Sequence, residues 1–134
     1  MRVALRLAVA AVAATAAPAL TAPALGHQTV SDRGVAVTTH VLPDDEPVAG
    51  KPATIVIVKV APPRGDRFTF ASCRTCRVKV RSAQGQTLLN RRTAKRTPFV
   101  FPDAAAYEVT YSGSYRTKNG RTRRFSARFA IRAY

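Results

Sequence analysis

The stretch that decides the fold is Pro-Asp-Ala-Ala-Ala-Tyr-Glu-Val-Thr-Tyr, residues 102–111. Apolar and polar side chains alternate from Tyr107 to Tyr111. Because successive side chains of a β-strand point to opposite faces, this alternation predicts a strand with one buried face. Just before the strand, Asp103, Ala105 and Tyr107 are spaced two residues apart. That spacing predicts that the loop leading into the strand is held in one conformation.

The Asp-x-Ala-x-Tyr spacing resembles the tyrosine corner at the start of the F strand in immunoglobulin-like sandwiches. In that motif the Tyr hydroxyl forms a hydrogen bond back to the main chain and fixes the loop that crosses between strands. The resemblance implies structural roles for Asp103 and Tyr107. Val109 stands where antibody domains carry their second core cysteine.

Alternating or β-branched segments recur along the chain, and none of them after residue 26 shows a 3.6-residue period. They are residues 35–42, 53–60, 76–81 and 124–132. The longest β-branched run, 53–60, predicts a central strand. Asn119-Gly120 predicts a two-residue hairpin with a type I′ turn. We therefore expect an all-β fold, an immunoglobulin-like antiparallel sandwich of about seven strands, with polar residues 27–34 and 90–97 outside it.

The first 26 residues have the pattern of a signal peptide. Arg2 and Arg6 precede a short apolar run, residues 7–17, and Ala24 and Gly26 suit the positions read by signal peptidase. An earlier cleavage site and an uncleaved membrane anchor are the alternatives. We expect residues 1–26 to be removed and residues 27–134 to form one domain that is secreted, periplasmic or held at the cell surface.

The chain is strongly basic, with 22 Lys and Arg residues against 7 Asp and Glu residues and a formal charge of +15. Arg2 and Arg6 are the leader's charged residues, so residues 27–134 carry +13. Such a charge attracts anionic surfaces without identifying one. In an exported protein the candidate partners are anionic envelope polymers and lipid headgroups.

The order of segments also resembles the small exported bacterial domains called YtkA-like and FixH-like. The likeness lies in residues 46–52, Glu-Pro-Val-Ala-Gly-Lys-Pro before a β-branched strand, and in residues 101–111. Copper-linked members of such groups use Met and His, and this chain has no Met after its leader. The resemblance therefore implies a fold and not a chemistry.

The two cysteines, Cys73 and Cys76, predict a disulfide, because the chain is expected to be exported. Closing so short a loop stabilises the fold by about 2 kcal/mol in the chain-entropy model. The alternative is a thiol–disulfide oxidoreductase, but such enzymes place the first cysteine at a helix N-terminus, and here a strand is predicted. We expect a strand to end near Phe70 or Ala71, a bend at 74–75, and a new strand from about Cys76.

His27 is a candidate copper ligand. If cleavage follows Gly26, the new terminal amine and the His27 ring can chelate one copper(II) ion, an arrangement that resembles CopC-type copper carriers. His40 and an acid such as Asp32 are the further ligands considered. A coincidental cleavage position is the competing interpretation, and four zinc ligands at a suitable spacing are not available.

Basic side chains occupy one phase of two predicted strands and predict an anion-binding surface. These residues are Arg77, Lys79, Arg81, Arg124, Arg128 and Arg132. Nucleic-acid binders interleave exposed aromatic residues for stacking, whereas Phe125 and Phe129 fall on the opposite phase, so no specific nucleic-acid partner is expected. The sequence has no Ser/His/Asp set, no phosphate-binding Gly loop and no cluster of carboxylates beyond the acidic turn at residues 44–46, and we therefore expect no enzyme activity.

Overall fold

The computed structural model describes residues 28–93 and 95–134, and the predicted leader and His27 lie outside this range. The described residues form eight strands, one more than expected, and contain no helix that could cross a membrane. The strands are β1 (Gln28–Asp32), β2 (Val35–Leu42), β3 (Pro52–Ala61), β4 (Arg77–Ser82), β5 (Thr87–Arg92), β6 (Arg96–Val100), β7 (Ala106–Arg116) and β8 (Thr122–Arg132).

Two antiparallel four-stranded sheets enclose the core, as the alternating segments predict. The first sheet has the order β1-β2-β3-β6 and the second the order β5-β4-β7-β8. The β-branched run is β3, and its position between β2 and β6 confirms that it is an interior strand. Ile55 and Ile57 from β3 and Val109 and Tyr111 from β7 belong to one core cluster between the sheets, and all four are fully buried. The prediction of a β-sandwich is therefore confirmed.

The stretch at residues 102–111 forms a hydrogen-bonded corner that leads into β7. The Tyr107 hydroxyl donates to the Asp103 carbonyl oxygen at 2.8 Å, and the Asp103 amide lies 2.9 Å from the same hydroxyl. The Tyr107 ring stacks edge-on against Phe101, with ring centres 5.0 Å apart. Two main-chain groups of a loop are thereby tied to a side chain that is itself anchored in the core.

The hairpin turns correct one prediction. The type I′ turn lies at Arg33-Gly34, where both residues have positive φ values, of 50° and 84°. This turn joins β1 to β2, so residues 28–34 are not loose as expected. At Asn119-Gly120 only the glycine has a positive φ, and the Thr117 carbonyl accepts from the Gly120 amide at 2.9 Å. That loop is a longer turn with its glycine in the left-handed region, since the strands end before residue 117 and resume after 121.

Residues 62–76 fold over one end of the sandwich. The predicted strand at Phe68 and Phe70 is wrong, because this segment makes only an isolated bridge between Arg67 and Arg116. Phe68 instead packs its ring edge-on against Phe125, with ring centres 5.8 Å apart. The alternation of apolar and polar residues around Phe68 and Phe70 therefore reflects packing at the end of the sheet and not pairing with a neighbouring strand. The expected turn at residues 74–75 is present, and β4 starts immediately after Cys76.

Residues 90–97 also differ from the expected exposed connection. They contain the end of β5 and the start of β6, with the described residues 93 and 95 between the two strands. Arg91 and Arg92 pair with Val78 and Arg77 of β4. The basic and polar side chains of this segment predicted an exposed connection. Such side chains are also common on edge strands, because they discourage pairing with another chain, so they do not distinguish an edge strand from a loop.

Edge strand β1 of the first sheet lies against edge strand β8 of the second sheet and covers part of its main chain. The Gln28 side chain donates to the Ala130 carbonyl oxygen at 3.0 Å, and the Asp32 carboxylate accepts from the Ser126 amide at 2.8 Å. Ser126 and Ala130 lie on β8, which is an edge strand of its sheet among the described residues. Two side chains of β1 thus satisfy main-chain groups that an exposed edge would offer to solvent.

Candidate functional site

All six predicted basic residues lie on the outer face of the second sheet. On β4, Arg77, Lys79 and Arg81 alternate with fully buried Val78 and Val80. On β8, the exposed positions alternate with buried core positions in the same way. The exposed basic residues of β8 include Arg124, Arg128 and Arg132.

Strand β7 separates the two basic strands and carries small polar residues on its outer face. Ser112 pairs with Arg77 of β4 on one side and with Ser126 of β8 on the other. Thr110 lies between Lys79 and Arg128 in the same way. We call this surface the basic trough: a floor of Thr110 and Ser112 between the basic residues of β4 and β8, continued by Ser114 beside Arg124 of β8. The Ser114 hydroxyl forms a hydrogen bond with the Thr75 hydroxyl at 2.9 Å.

A cavity of about 750 Å³ lies over the Ser112 part of the basic trough. Besides Arg77, Arg124 and Arg128, it is lined by Arg92 of β5 and by Arg33 of the turn between β1 and β2. Sequence reasoning missed Arg33 and Arg92, because nothing local indicates that a hairpin turn and an edge strand reach this face. The pairing of Arg92 with Arg77 brings one of them there.

One cation of this cavity, Arg77, is held by a neutral group. The Arg77 Nε donates to the Asn90 side-chain oxygen at 2.9 Å, which fixes the guanidinium and leaves its two Nη groups for other acceptors. Within residues 28–93 and 95–134, no basic side chain of the trough forms an ion pair with a carboxylate. The Asp32 carboxylate, which accepts the Ser126 amide, lines the cavity too and offsets one of its positive charges. Arg side chains outnumber this carboxylate, so the site has a positive potential.

The other part of the basic trough is different. Here the floor residue is Glu108 and not a hydroxyl residue. Glu108 lies opposite Arg81 in the register between β7 and β4. A cavity of about 570 Å³ contains Glu108, Arg81 and Arg128. Arg81 also donates to the Gly85 carbonyl oxygen, at 3.1 Å from Nη2. The carboxylate offsets part of the positive charge, so this part attracts anions less than the Ser112 part does.

The cysteines form the predicted disulfide, with Cα atoms 5.4 Å apart. Cys76 is 2% exposed and begins the buried phase of β4, and the bridge lies on Gly113 of β7. A Cβ built on Gly113 would come within 2.5 Å of the Cys76 sulfur and 2.9 Å of the Cys73 sulfur. A strand and not a helix follows Cys76, which is the context expected of a structural bridge.

The candidate copper ligands within the described residues do not come together. The His40 Nδ1 lies 2.6 Å from the Asp45 carboxylate, which also accepts the Val41 amide. Asp32 lies at the opposite end of the β1–β2 ladder from His40. Residues 28–93 and 95–134 contain no cluster of three or more His, Cys, Asp or Glu side chains suited to a metal ion. Because His27 lies outside these residues, the copper hypothesis stays a prediction.

No protein-family model, curated protein or solved structure matches this chain. A functional conclusion therefore depends on the geometry and charge of the described residues.

Proposed function

We propose that this chain is an exported, non-enzymatic, immunoglobulin-like domain that binds an anionic component of the cell envelope through the basic trough. The observation that carries this proposal is the Ser112 part of the trough, where Arg side chains from different strands surround a hydroxyl floor. Opposed cations across a neutral floor are arranged to receive an anion, since they repel one another when none is bound.

The order of the strands supports the immunoglobulin-like assignment. The chain passes from β3 in the first sheet to β4 in the second, and returns to the first for β6 before β7. Such crossings between two sheets are typical of Greek-key sandwiches. The hydrogen bonds between Tyr107 and Asp103 match the tyrosine corner of that fold.

The oxidation state of the cysteines supports export. An oxidised Cys73–Cys76 pair is what an oxidising compartment outside the cytoplasm maintains.

The distribution of apolar side chains supports a polymer over other anionic partners. Phe125 and Phe129 are buried in the core, and Phe68 at the end of the sheet packs edge-on against Phe125, so within the described residues the strands of the trough present no open aromatic platform for nucleic-acid bases. The exposed large apolar side chains lie outside the trough. They are Val48, Val58, Val100 and Tyr134. The basic face thus lacks the apolar residues that would insert into a lipid layer.

The test is salt-dependent retention on isolated envelope material. We expect the purified protein to sediment with cell-wall fragments at low ionic strength and to be released at high ionic strength, because screening weakens contacts between exposed charges. Retention that does not change with salt would contradict the proposal, and so would failure to sediment at low salt.

A further inference from the structure

We infer that the ligand of the basic trough is a linear phosphate polymer that lies along β7, with one phosphoryl group over Ser112. This inference rests on the proposed function and specifies its ligand class.

The register of the strands fixes the shape of the site. Neighbouring strands are about 4.8 Å apart, so the main chains of β4 and β8 lie about 10 Å apart with β7 between them. Arg77, Ser112 and Ser126 form one row across the three strands. Arg124 pairs with Ser114 and Arg128 with Thr110, so both lie diagonally next to Ser112. A group centred on Ser112 is thus within reach of long Arg side chains from both sides.

The donors suit a tetrahedral oxyanion better than a carboxylate. A carboxylate directs its two oxygens in one plane and to one side, which suits a single guanidinium fork. An internal phosphoryl group of the polymer has two charged oxygens on a tetrahedral phosphorus, so one can accept from Arg77 and the other from Arg124 or Arg128 on the opposite side. Either oxygen has a further lone pair for the Ser112 hydroxyl below. Arg is well matched to this geometry, because its planar fork binds phosphate through two parallel hydrogen bonds.

The length of the trough points to a chain and not to a single ion. Cavities containing Glu108, Ser112 and Ser114 follow one another along β7, with volumes of about 570, 750 and 380 Å³. The last of these is lined by two more cations, Arg67 and Arg116. Alternate residues of a strand are about 7 Å apart, so positive charges recur along the trough at that interval. Glu108 repels anions at the other end, so the polymer should occupy the length from Thr110 to Arg116.

Binding of linear inorganic polyphosphate to the purified full chain tests the inference. Polyglutamate of the same number of charges and phosphatidylglycerol vesicles are the comparison ligands, all at one ionic strength. We expect polyphosphate to bind at least about tenfold more tightly than polyglutamate, the difference of roughly one charge-assisted hydrogen bond. Equal affinity for polyphosphate and polyglutamate would overturn the phosphate assignment, and tighter binding to the vesicles would overturn the polymer assignment.

A pair of charge-matched variants tests the location. R77Q/R124Q removes one cation from each side of Ser112, whereas R64Q/R96Q removes two exposed cations outside the trough. We expect the first variant to lose at least about tenfold in polyphosphate affinity and the second to lose less than about threefold. Equal losses would show attraction by net charge alone and would overturn the trough as the site, whereas binding to the envelope itself would survive. If the unmodified protein binds neither polyphosphate nor cell-wall fragments, both proposals fail.

The floor is tested separately with S112D against R64Q, which lower the net charge by the same amount. We expect S112D to weaken polyphosphate binding by at least about tenfold, because it places a carboxylate where the phosphoryl group should lie. A loss no greater than that of R64Q would contradict the position over Ser112. Thermal melting of each variant shows whether the fold is retained.

Discussion

The two faces of β7 use small residues for different reasons. On the inner face Gly113 is small because the Cys73–Cys76 bridge occupies the space where its side chain would stand. On the outer face Ser112, the preceding residue, lines an open cavity of about 750 Å³. The inner residue is constrained by packing and the outer one is not. The space above Ser112 and the basic side chains around it are therefore free to bind a ligand.

The largest expected effect is on the inner face. Gly113→Ala should destabilise the fold by about 3 kcal/mol, the upper end for overpacking, because the new methyl group would meet a rigid sulfur bridge. The measurement is chemical denaturation, with Ser112→Ala as the neighbouring outer-face control. Similar losses in both variants would show that the two faces do not differ as described.

Removal of the bridge should have the next largest effect. Cys73→Ala/Cys76→Ala should lower the free energy of unfolding by about 2 kcal/mol. The same background should reduce the cost of Gly113→Ala, because the methyl group then has space, and a double-mutant cycle measures this coupling. Strictly additive losses would mean that the bridge does not constrain Gly113.

Alkaline pH provides a third test of the inner face. Burial raises the pKa of Tyr111 above its ordinary value of 10.0. The unfolded chain therefore ionises first as pH rises, so the stability present below about pH 10 should fall above it, by up to about 1.4 kcal/mol per pH unit. Tyr111→Phe should make this decline shallower, whereas Tyr134→Phe, at a side chain that is 52% exposed, should not. Identical pH profiles for the two variants would contradict this assignment.

The smallest expected effect on stability is on the outer face. R77Q/R124Q should change the free energy of unfolding by less than about 0.5 kcal/mol, since both side chains are exposed. Denaturation with the unmodified protein as reference is the measurement. A large loss would mean that the basic trough contributes to folding, and its loss of ligand binding could then not be assigned to the site.

Side-chain period predicted the inner and outer faces of β4, β7 and β8 well. The two-residue alternation of buried and exposed side chains in a strand is a local signal. It predicted correctly that Cys76 and Tyr107 lie in the core and that Arg77 and Arg128 lie outside it. The spacing of Asp103 and Tyr107 likewise identified a local hydrogen-bonded corner. These features depend on neighbours within a few residues, which a single sequence contains.

What the sequence did not predict depends on distant partners. Arg33 and Arg92 reach the cavity only because β1 lies against β8 and β5 pairs with β4. β1 itself is short and polar, so its pairing was not visible in the hydrophobic pattern. The hairpin error has a similar cause, because Asn-Gly favours several turn types and the strand register selects one of them. The function of the trough was equally outside what local pattern can decide.

The hydrogen bonds between the side chains of β1 and the main chain of β8 have a consequence for the order of folding. These two hydrogen bonds join residues 94 and 102 positions apart, Asp32 with Ser126 and Gln28 with Ala130. Contacts of such high sequence separation form late, because a long loop must close before they are gained. As the chain emerges progressively, from a ribosome or through a translocation channel, β1 must wait for β8 before either edge is covered. Until then the unpaired edges can recruit other chains, so aggregation during biogenesis is governed by how fast the last strand arrives.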